Sequence, residues 1–229
     1  MDENGEKVIT ADSLPDSGKA FSKEDIARIK SNEKLGPYFF VKSAIDWLLA
    51  LVAFLLLLVP FILIGIISFC ADPGRVFFTQ VRCGRNGKPI RIIKFRTMKK
   101  GSIGENVSAE KLKADDYKKT CNAWQRFLRK TSIDELPQIM NILAFQMAFI
   151  GPRPLIYQES DVIQERIYNG SIHCKPGLGG LAQVNGRRKL SQTTKGGFDG
   201  EYYAKMSFLY DLKLWFKTIF AVLGRFDAA

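Results

Sequence analysis

From Trp47 to Ala71 the chain carries 25 consecutive residues without a charge, dominated by Leu, Val, Phe and Ile. At about 1.5 Å per residue, a helix of that length exceeds the roughly 30 Å hydrocarbon core of a bilayer, so one crossing is permitted by length. Pro60 interrupts the run, leaving 13 apolar residues before it and 11 after it. Its missing N–H and the clash of its ring with the preceding turn favour a kink, and neither half alone spans a bilayer. Lys30, Lys34 and Lys42 precede the segment and Arg75, Arg82 and Arg85 follow it, so the lysine and arginine bias prefers neither side. The pattern predicts a helix that enters the membrane, breaks near Pro60 and returns to the cytoplasmic side. The competing reading is an ordinary tilted span.

Elsewhere the pattern is that of a folded domain. Val76–Val81 and Ile90–Phe95 read as strands around a turn at Gly84–Gly87. Residues 99 to 120 read as a polar, lysine-rich connection. Helical spacing returns at Trp124–Arg129 and again after Ser132, where Leu136, Ile139, Met140 and Leu143 fall on one face. A last element, Tyr202–Leu223, is aromatic but interrupted by Lys205, Asp211, Lys213 and Lys217. It suits a helix lying along the bilayer interface with its lysines snorkelling, or a core helix. Residues 1 to 35 have few large apolar groups and read as a mobile lead-in, apart from a short helix at Ser22–Ile29; they lack the basic start and apolar run of a signal peptide. Three parts follow: an N-terminal extension (1–35), a re-entrant membrane helix (36–72) and a cytoplasmic-face domain (73–229). The fold class is α/β and membrane-associated, with a small β-hairpin and a mainly helical body carrying interfacial amphipathic helices.

Composition narrows this picture little. The net charge of +11 suits any polyanion, whether nucleic acid, anionic lipid or nucleotide diphosphate. Cys70, Cys83, Cys121 and Cys174 form no CxxC pair, and His173 is the one histidine. Neither a zinc site nor a disulfide framework is indicated.

The densest polar cluster runs from Leu128 to Gln138. Ser132 and Glu135 have capping-box spacing, which would make Glu135 a structural residue. Asp134 would sit in the first turn, where the helix end stabilises a carboxylate. The same geometry suits catalysis. An ionised carboxylate can attack a phosphoryl centre and split a transfer into two steps, provided cations neutralise the phosphoryl oxygens. Glu135 beside Asp134 suits Mg²⁺, which prefers carboxylate and phosphate oxygens. Arg82, Arg85, Lys88, Arg91, Lys94 and Arg96 cluster on the hairpin, and Gly151-Pro152-Arg153-Pro154 fixes Arg153 between prolines. Arg82, Lys94, Arg96 and Arg153 are the candidate phosphate ligands. The glycine-rich stretch Lys175–Arg188 presents Gln183, Asn185, Arg187 and Arg188 to a nucleotide on flexible backbone, although a basic structural loop reads equally well. It has neither the Walker nor the Rossmann order.

Together these stretches resemble the bacterial sugar transferase family, the small monotopic phosphoglycosyl transferases. The resemblance rests on Lys42 with Asp46, Gln80-Val81-Arg82-Cys83-Gly84, Lys94-Phe95-Arg96-Thr97-Met98, Ser132 through Gln138, Gly151 through Pro154 and Pro176-Gly177 through Arg187. It implies a proline-broken re-entrant helix, cytoplasmic catalysis at the bacterial inner membrane, and Mg²⁺. It further implies transfer of a sugar phosphate from a UDP-sugar to polyprenyl phosphate with release of UMP, through a covalent phosphosugar enzyme. On this chain Asp134 becomes the nucleophile, Glu135 the metal ligand and Arg153 a phosphate ligand, with Pro60 and Lys42 setting the membrane geometry. Downstream glycosyltransferases and a second copy of the chain are compatible partners; nucleic acid is not expected.

Three departures from the family pattern stand out. Lys42-Ser43 replaces its Lys-Arg pair, weakening a headgroup contact. Phe145-Gln146-Met147-Ala148 replaces Gly-Asp/Glu-Met-Ser, removing an acidic group. Gly179 replaces a common Thr, removing a hydroxyl and loosening the loop. A noncatalytic polyanion-binding or glycan-assembly scaffold protein is the alternative, and would show no special sensitivity at Asp134.

Overall fold

The computed structural model describes residues 21–31, 33, 36–98, 120–186 and 190–223. The connection expected at 99–120 and the arginines at 187 and 188 therefore fall almost wholly outside the described residues, as do residues 1–20 of the lead-in. Helix α1 (Lys23–Ser31) is capped reciprocally by Ser22 and Asp25, each backbone N–H donating to the other side chain. Ile29 is buried among Val162, Ile163 and Ile167. The short helix anticipated in the lead-in is present, and Ile29 packs it against the body.

The apolar run forms helix α2 (Pro37–Ala71), with Pro37 in the first turn, where a missing N–H costs no helical bond. The helix continues through Pro60, so the expected break is absent as an interruption of helical structure. Packing accounts for this: Phe61 meets Phe54 and Phe95 edge-on with ring centroids 6.3 and 5.9 Å apart, holding the turn that the proline weakens. Phe39, Lys42, Asp46, Ala50, Phe61 and Ser68 are its buried positions, and their spacing marks one face along the whole helix. The opposite face is apolar and exposed, with Leu56 at 74% and Val59 at 64%.

Both ends of α2 are tied to the same body. Near its start, Trp47 Nε1 donates to the Leu143 carbonyl (3.2 Å); near its end, Trp124 Nε1 donates to Ser68 Oγ (2.9 Å) and Asn122 Nδ2 to the Ala71 carbonyl (3.1 Å). Lys42, expected to serve headgroups, points inward. Its ammonium stands 3.2 Å from Asp46 and 2.7 Å from Asp211, with only 8% of the residue exposed. A buried cation needs such partners, and Asp211 is further bonded by the hydroxyls of Tyr38 and Tyr202.

Strands β1 (Phe77–Cys83) and β2 (Pro89–Phe95) pair antiparallel with Gln80 opposite Ile92 and Arg82 opposite Ile90. The turn works because Asn86 and Gly87 both take left-handed dihedrals. Helix α3 (Ala123–Lys130) starts on a capping box from Asn122 and Gln125. The capping box expected at Ser132 does not form: Ser132 is left-handed at φ 59°, and its side chain makes no cap bond. Residues Ile133–Gln138 form a 3-10 turn, tightened around Pro137, before the short helix α4 (Ile139–Leu143).

The rest of the body comprises β3 (Ala148–Ile150), α5 (Ser160–Asn169), β4 (Gly177–Gly179), α6 (Leu181–Val184), α7 (Gln192–Lys205) and α8 (Phe208–Leu223). Strands β3 and β4 pair in parallel. The element expected over Tyr202–Leu223 is thus two helices. Tyr202 belongs to the first, and its buried hydroxyl lies 2.8 Å from Asp211 in the second. The main apolar core joins Ala50 and Phe61 of α2 to Ile90, Ile92 and Phe95 of the hairpin, Leu128, and Ile139 and Ile142 of α4. All four cysteines are free.

Candidate active site

The hairpin is fastened to α4, which directly follows the 3-10 turn, by Asn141, which is 2% exposed. Its Oδ1 accepts from the Ile93 N–H (3.1 Å) and its Nδ2 donates to the Arg91 carbonyl (2.8 Å), so the side chain continues the ladder of β2. Gln146 Oε1 accepts from the same amide at 2.9 Å. The departure at Gln146 therefore removes a charge but keeps a hydrogen-bond acceptor. With β2 held in this way, Lys94 reaches the Glu135 carboxylate at 2.7 Å. That contact takes the place of the missing cap and defines what Glu135 does in the fold.

Around this pair lies a small polar pocket lined by Arg82, Lys94, Glu135, Gln138, Arg153 and Gln183, closed by Ile92, Pro154, Gly177 and Leu178. Arg82 is oriented by Gln80 Oε1 at 2.6 Å. Three cationic side chains from three separate stretches of sequence converge on one hollow, an arrangement suited to the oxygens of a phosphate.

Arg153 is brought there by glycines, and close approach of backbone is the reason for them. A Cβ at Gly151 would run into the Lys175 carbonyl, one at Gly177 into the Gly151 backbone, and one at Gly180 into the Gly151 carbonyl. The stretch read as flexible is thus a tight junction of β3 and β4, with the Gly151 N–H bonded to the Gly179 carbonyl at 2.9 Å. Gly179 is not loosened either: an added Cβ would lie 2.5 Å from Thr218 Oγ1, so α8 occupies that space. Behind the arginine turn, Arg166 donates to the Arg153 carbonyl (3.0 Å) and to Asp199 (2.6 Å), with both members of that ion pair buried. Burial pushes the Asp199 carboxyl above its ordinary range although Arg166 opposes the shift.

The remaining candidates fall elsewhere. Asp134 is 7% exposed and engaged with its surroundings; it is next in sequence to Glu135 but is not among the residues that line the pocket. Arg96 leaves the cluster to pair with Asp72 (3.3 Å) and to bond its carbonyl, closing the end of α2. Asn185 turns back to the Leu181 carbonyl at 2.9 Å and finishes α6. Gln183 donates to the Leu178 carbonyl (3.0 Å), while its buried Oε1 accepts no bond among the described residues. The second cation lost at Ser43 is supplied from a distance, since Lys175 Nζ lies 3.1 Å from Ser43 Oγ; burial lowers the proton affinity of that lysine. Sequence reasoning missed Asn141 and Arg166, and took Gln138 only as the end of the Leu128–Gln138 cluster. On helical spacing Asn141 lies away from the predicted apolar face of Leu136, Ile139, Met140 and Leu143, where a polar residue is ordinary, and Arg166 carries no mark either.

Among the described residues no group of three or more His, Cys, Asp or Glu side chains is placed to hold a metal. Glu135 nevertheless lines the polar hollow, and Mg²⁺ needs only one or two carboxylates when phosphate oxygens and water complete its shell.

Comparison with known proteins matches residues 37–225 to a family model described as bacterial sugar transferase. The exopolysaccharide production protein ExoY of Sinorhizobium fredii is 35% identical over 197 residues, covering 79% of this chain and 84% of that protein. The UDP-glucose:undecaprenyl-phosphate glucose-1-phosphate transferase of Escherichia coli is 35% identical over 187 residues, covering 79% of this chain but 39% of that longer protein. An uncharacterized sugar transferase, EpsL, of Bacillus subtilis is 40% identical over 149 residues, 65% of this chain and 70% of its own length.

Proposed function

Because the chain belongs to the bacterial sugar transferase family, we propose that it moves a sugar 1-phosphate from a UDP-sugar to polyprenyl phosphate and releases UMP. The observation that carries this reading is the convergence of Arg82, Lys94 and Arg153 on a hollow bordered by Glu135. The name of the Escherichia coli relative states the same class of reaction.

In the first step an Asp134 carboxylate oxygen attacks the β-phosphorus. The bond from that phosphorus to the bridging oxygen breaks, and UMP leaves with the oxygen. In the second step an oxygen of polyprenyl phosphate attacks the same phosphorus, the bond to Asp134 breaks and the carboxylate is restored. Two easier displacements replace one difficult one. Lys94 and the two arginines hold the non-bridging oxygens as charge spreads over them. Glu135, with phosphate oxygens and water, would hold Mg²⁺, which supplies charge neutralisation when bound. Gln183 Oε1 is available to accept from a hydroxyl or N–H of the donor. Asp134 does not line the pocket wall and must come forward to react. Since Glu135 already lines that wall, a second reading makes Glu135 the nucleophile.

The protein works on the cytoplasmic face of the inner membrane, with α2 re-entrant. Supporting this are the ties of both ends of α2 to one body and its exposed apolar face. At about 1.5 Å per residue its 35 residues extend roughly 52 Å. A straight crossing would carry one set of these contacts to the far side. The product is the lipid-linked first sugar of an exopolysaccharide, capsule, O-antigen or glycoprotein glycan, handed to downstream glycosyltransferases.

The test is to give full-length protein in nanodiscs Mg²⁺, polyprenyl phosphate and each of several UDP-sugars, and to follow UMP. Lipid-dependent UMP release with one sugar is expected. Its absence with every sugar, from protein shown to be folded, rejects the proposal.

A further inference from the structure

Beside the polar pocket lies a larger cleft of about 210 Å³ between the 3-10 turn, β4 and α8. Ile133, Leu136, Leu178, Val184, Ala221 and Val222 supply its apolar walls. The two hollows adjoin, and Glu135, Leu178 and Gln183 line both.

The cleft is poor in hydrogen bonds to offer. The Thr131 hydroxyl lies within 2.9 Å of the Phe127 carbonyl and 3.1 Å of the Leu128 carbonyl. The Thr218 hydroxyl donates to the Leu214 carbonyl at 2.8 Å, and the Gln183 amide nitrogen to Leu178. Glu135 and Gln183 Oε1 offer acceptors where the cleft borders the polar pocket, but a nucleobase or a sugar against the apolar walls would lose its bonds to water without replacing them. An apolar chain would lose nothing and gain burial. The far wall belongs to α8, whose outward residues Leu209 and Phe220 are 75% and 69% exposed. The helix that walls the cleft therefore also carries exposed apolar side chains. Close contact of Gly179 with Thr218 keeps β4 and α8 together at the back of the cleft.

We propose that this cleft takes the first isoprene units of the polyprenyl phosphate acceptor, with its phosphate in the adjoining polar pocket, a placement that rests on the transfer reaction proposed above. Phosphate at one end and hydrocarbon at the other match the cationic pocket and the apolar cleft in order. The donor's sugar and uridine lie outside the cleft.

The experiment fills the cleft with Val222→Trp and, separately, Ala221→Trp in the full-length protein in nanodiscs. The two half-reactions are measured apart: covalent adduct formation from UDP-sugar alone, and discharge of that adduct by acceptor. Adduct formation at the native rate is expected, which also shows that the variants fold. The acceptor concentration giving half-maximal discharge should rise about tenfold or more, the loss of roughly two buried methylene-sized groups. Discharge by methyl phosphate, which has no tail, should be slow and equal in native and variant proteins. A parallel fall in adduct formation with each tryptophan would assign the cleft to the donor and overturn the proposal. Unchanged use of polyprenyl phosphate would overturn it as well. A native protein that forms no adduct instead rejects the two-step transfer itself.

Discussion

The Lys94 ammonium lies 2.7 Å from a Glu135 carboxylate oxygen, joining the second strand of the hairpin to the 3-10 turn at the edge of the polar pocket. Both side chains are partly exposed, so the pair adds at most about 1 kcal/mol to stability. Its value for phosphate chemistry is greater. Lys94→Met is expected to slow UMP release by about a hundredfold, the loss found on removing one charge-stabilising donor, while barely shifting the unfolding midpoint. Measuring both on one preparation separates the two effects.

Arg166 and Asp199 form a buried ion pair that also carries the arginine turn through the Arg153 carbonyl. Arg166→Met strands a buried carboxylate and should cost about 3 to 5 kcal/mol in urea unfolding. Adding Asp199→Leu should restore much of that stability. Activity should stay low in the double variant, because the Arg153 backbone has lost its donor. Recovery of both together would show that Arg166 does not position the turn.

Phe145 adopts φ 58°, a left-handed conformation in which a Cβ is strained. Stacking on Trp47, at 6.2 Å between centroids, and the Lys175 ammonium 5.2 Å above its ring offset that strain. Phe145→Ala keeps the strain and loses the contacts, whereas Phe145→Gly loses both. The alanine variant should therefore be less stable than the glycine variant by about 1 kcal/mol, read from denaturant midpoints.

His173 is wholly buried with Nδ1 2.8 Å from Asn86 Oδ1, and its Nε2 has no partner among the described residues. Burial pulls its proton affinity below the ordinary imidazole value, outweighing the attraction of Glu33. The folded chain thus prefers the neutral ring, while the unfolded chain binds a proton below about pH 6.5. The stabilising contribution is present above that pH and is lost as pH falls through the lowered folded value. The melting temperature should drop as pH falls below about 6.5, and His173→Asn should flatten that part of the curve.

Local pattern made the hairpin, the apolar helix and the helix at 123–130 legible, because alternation and charge-free runs report which faces are buried. It misjudged residues whose roles depend on distant partners. Lys42 looked like a headgroup ligand until Asp211, far along the chain, was seen to neutralise it. Arg96 looked like a phosphate ligand, yet it closes α2 through Asp72. Ser132 and Glu135 had the spacing of a cap, but the left-handed serine frees the glutamate for Lys94. The glycines of 177–180 were read as freedom when their purpose is contact, which depends on Gly151 lying against them. Chemistry alone offers Arg82, Lys94, Arg96 and Arg153 as phosphate ligands, and the fold brings the first two and Arg153 to one pocket while Arg96 pairs with Asp72.

The central claim is a phosphosugar bonded to Asp134, and intact-protein mass after mixing with UDP-sugar and Mg²⁺ in the absence of lipid acceptor tests it most directly. The account predicts a mass gain of one sugar phosphate, present in the native protein and in Glu135→Gln at a slower rate, absent in Asp134→Asn, and removed when polyprenyl phosphate is added. An adduct that persists in Asp134→Asn and vanishes in Glu135→Gln would contradict it.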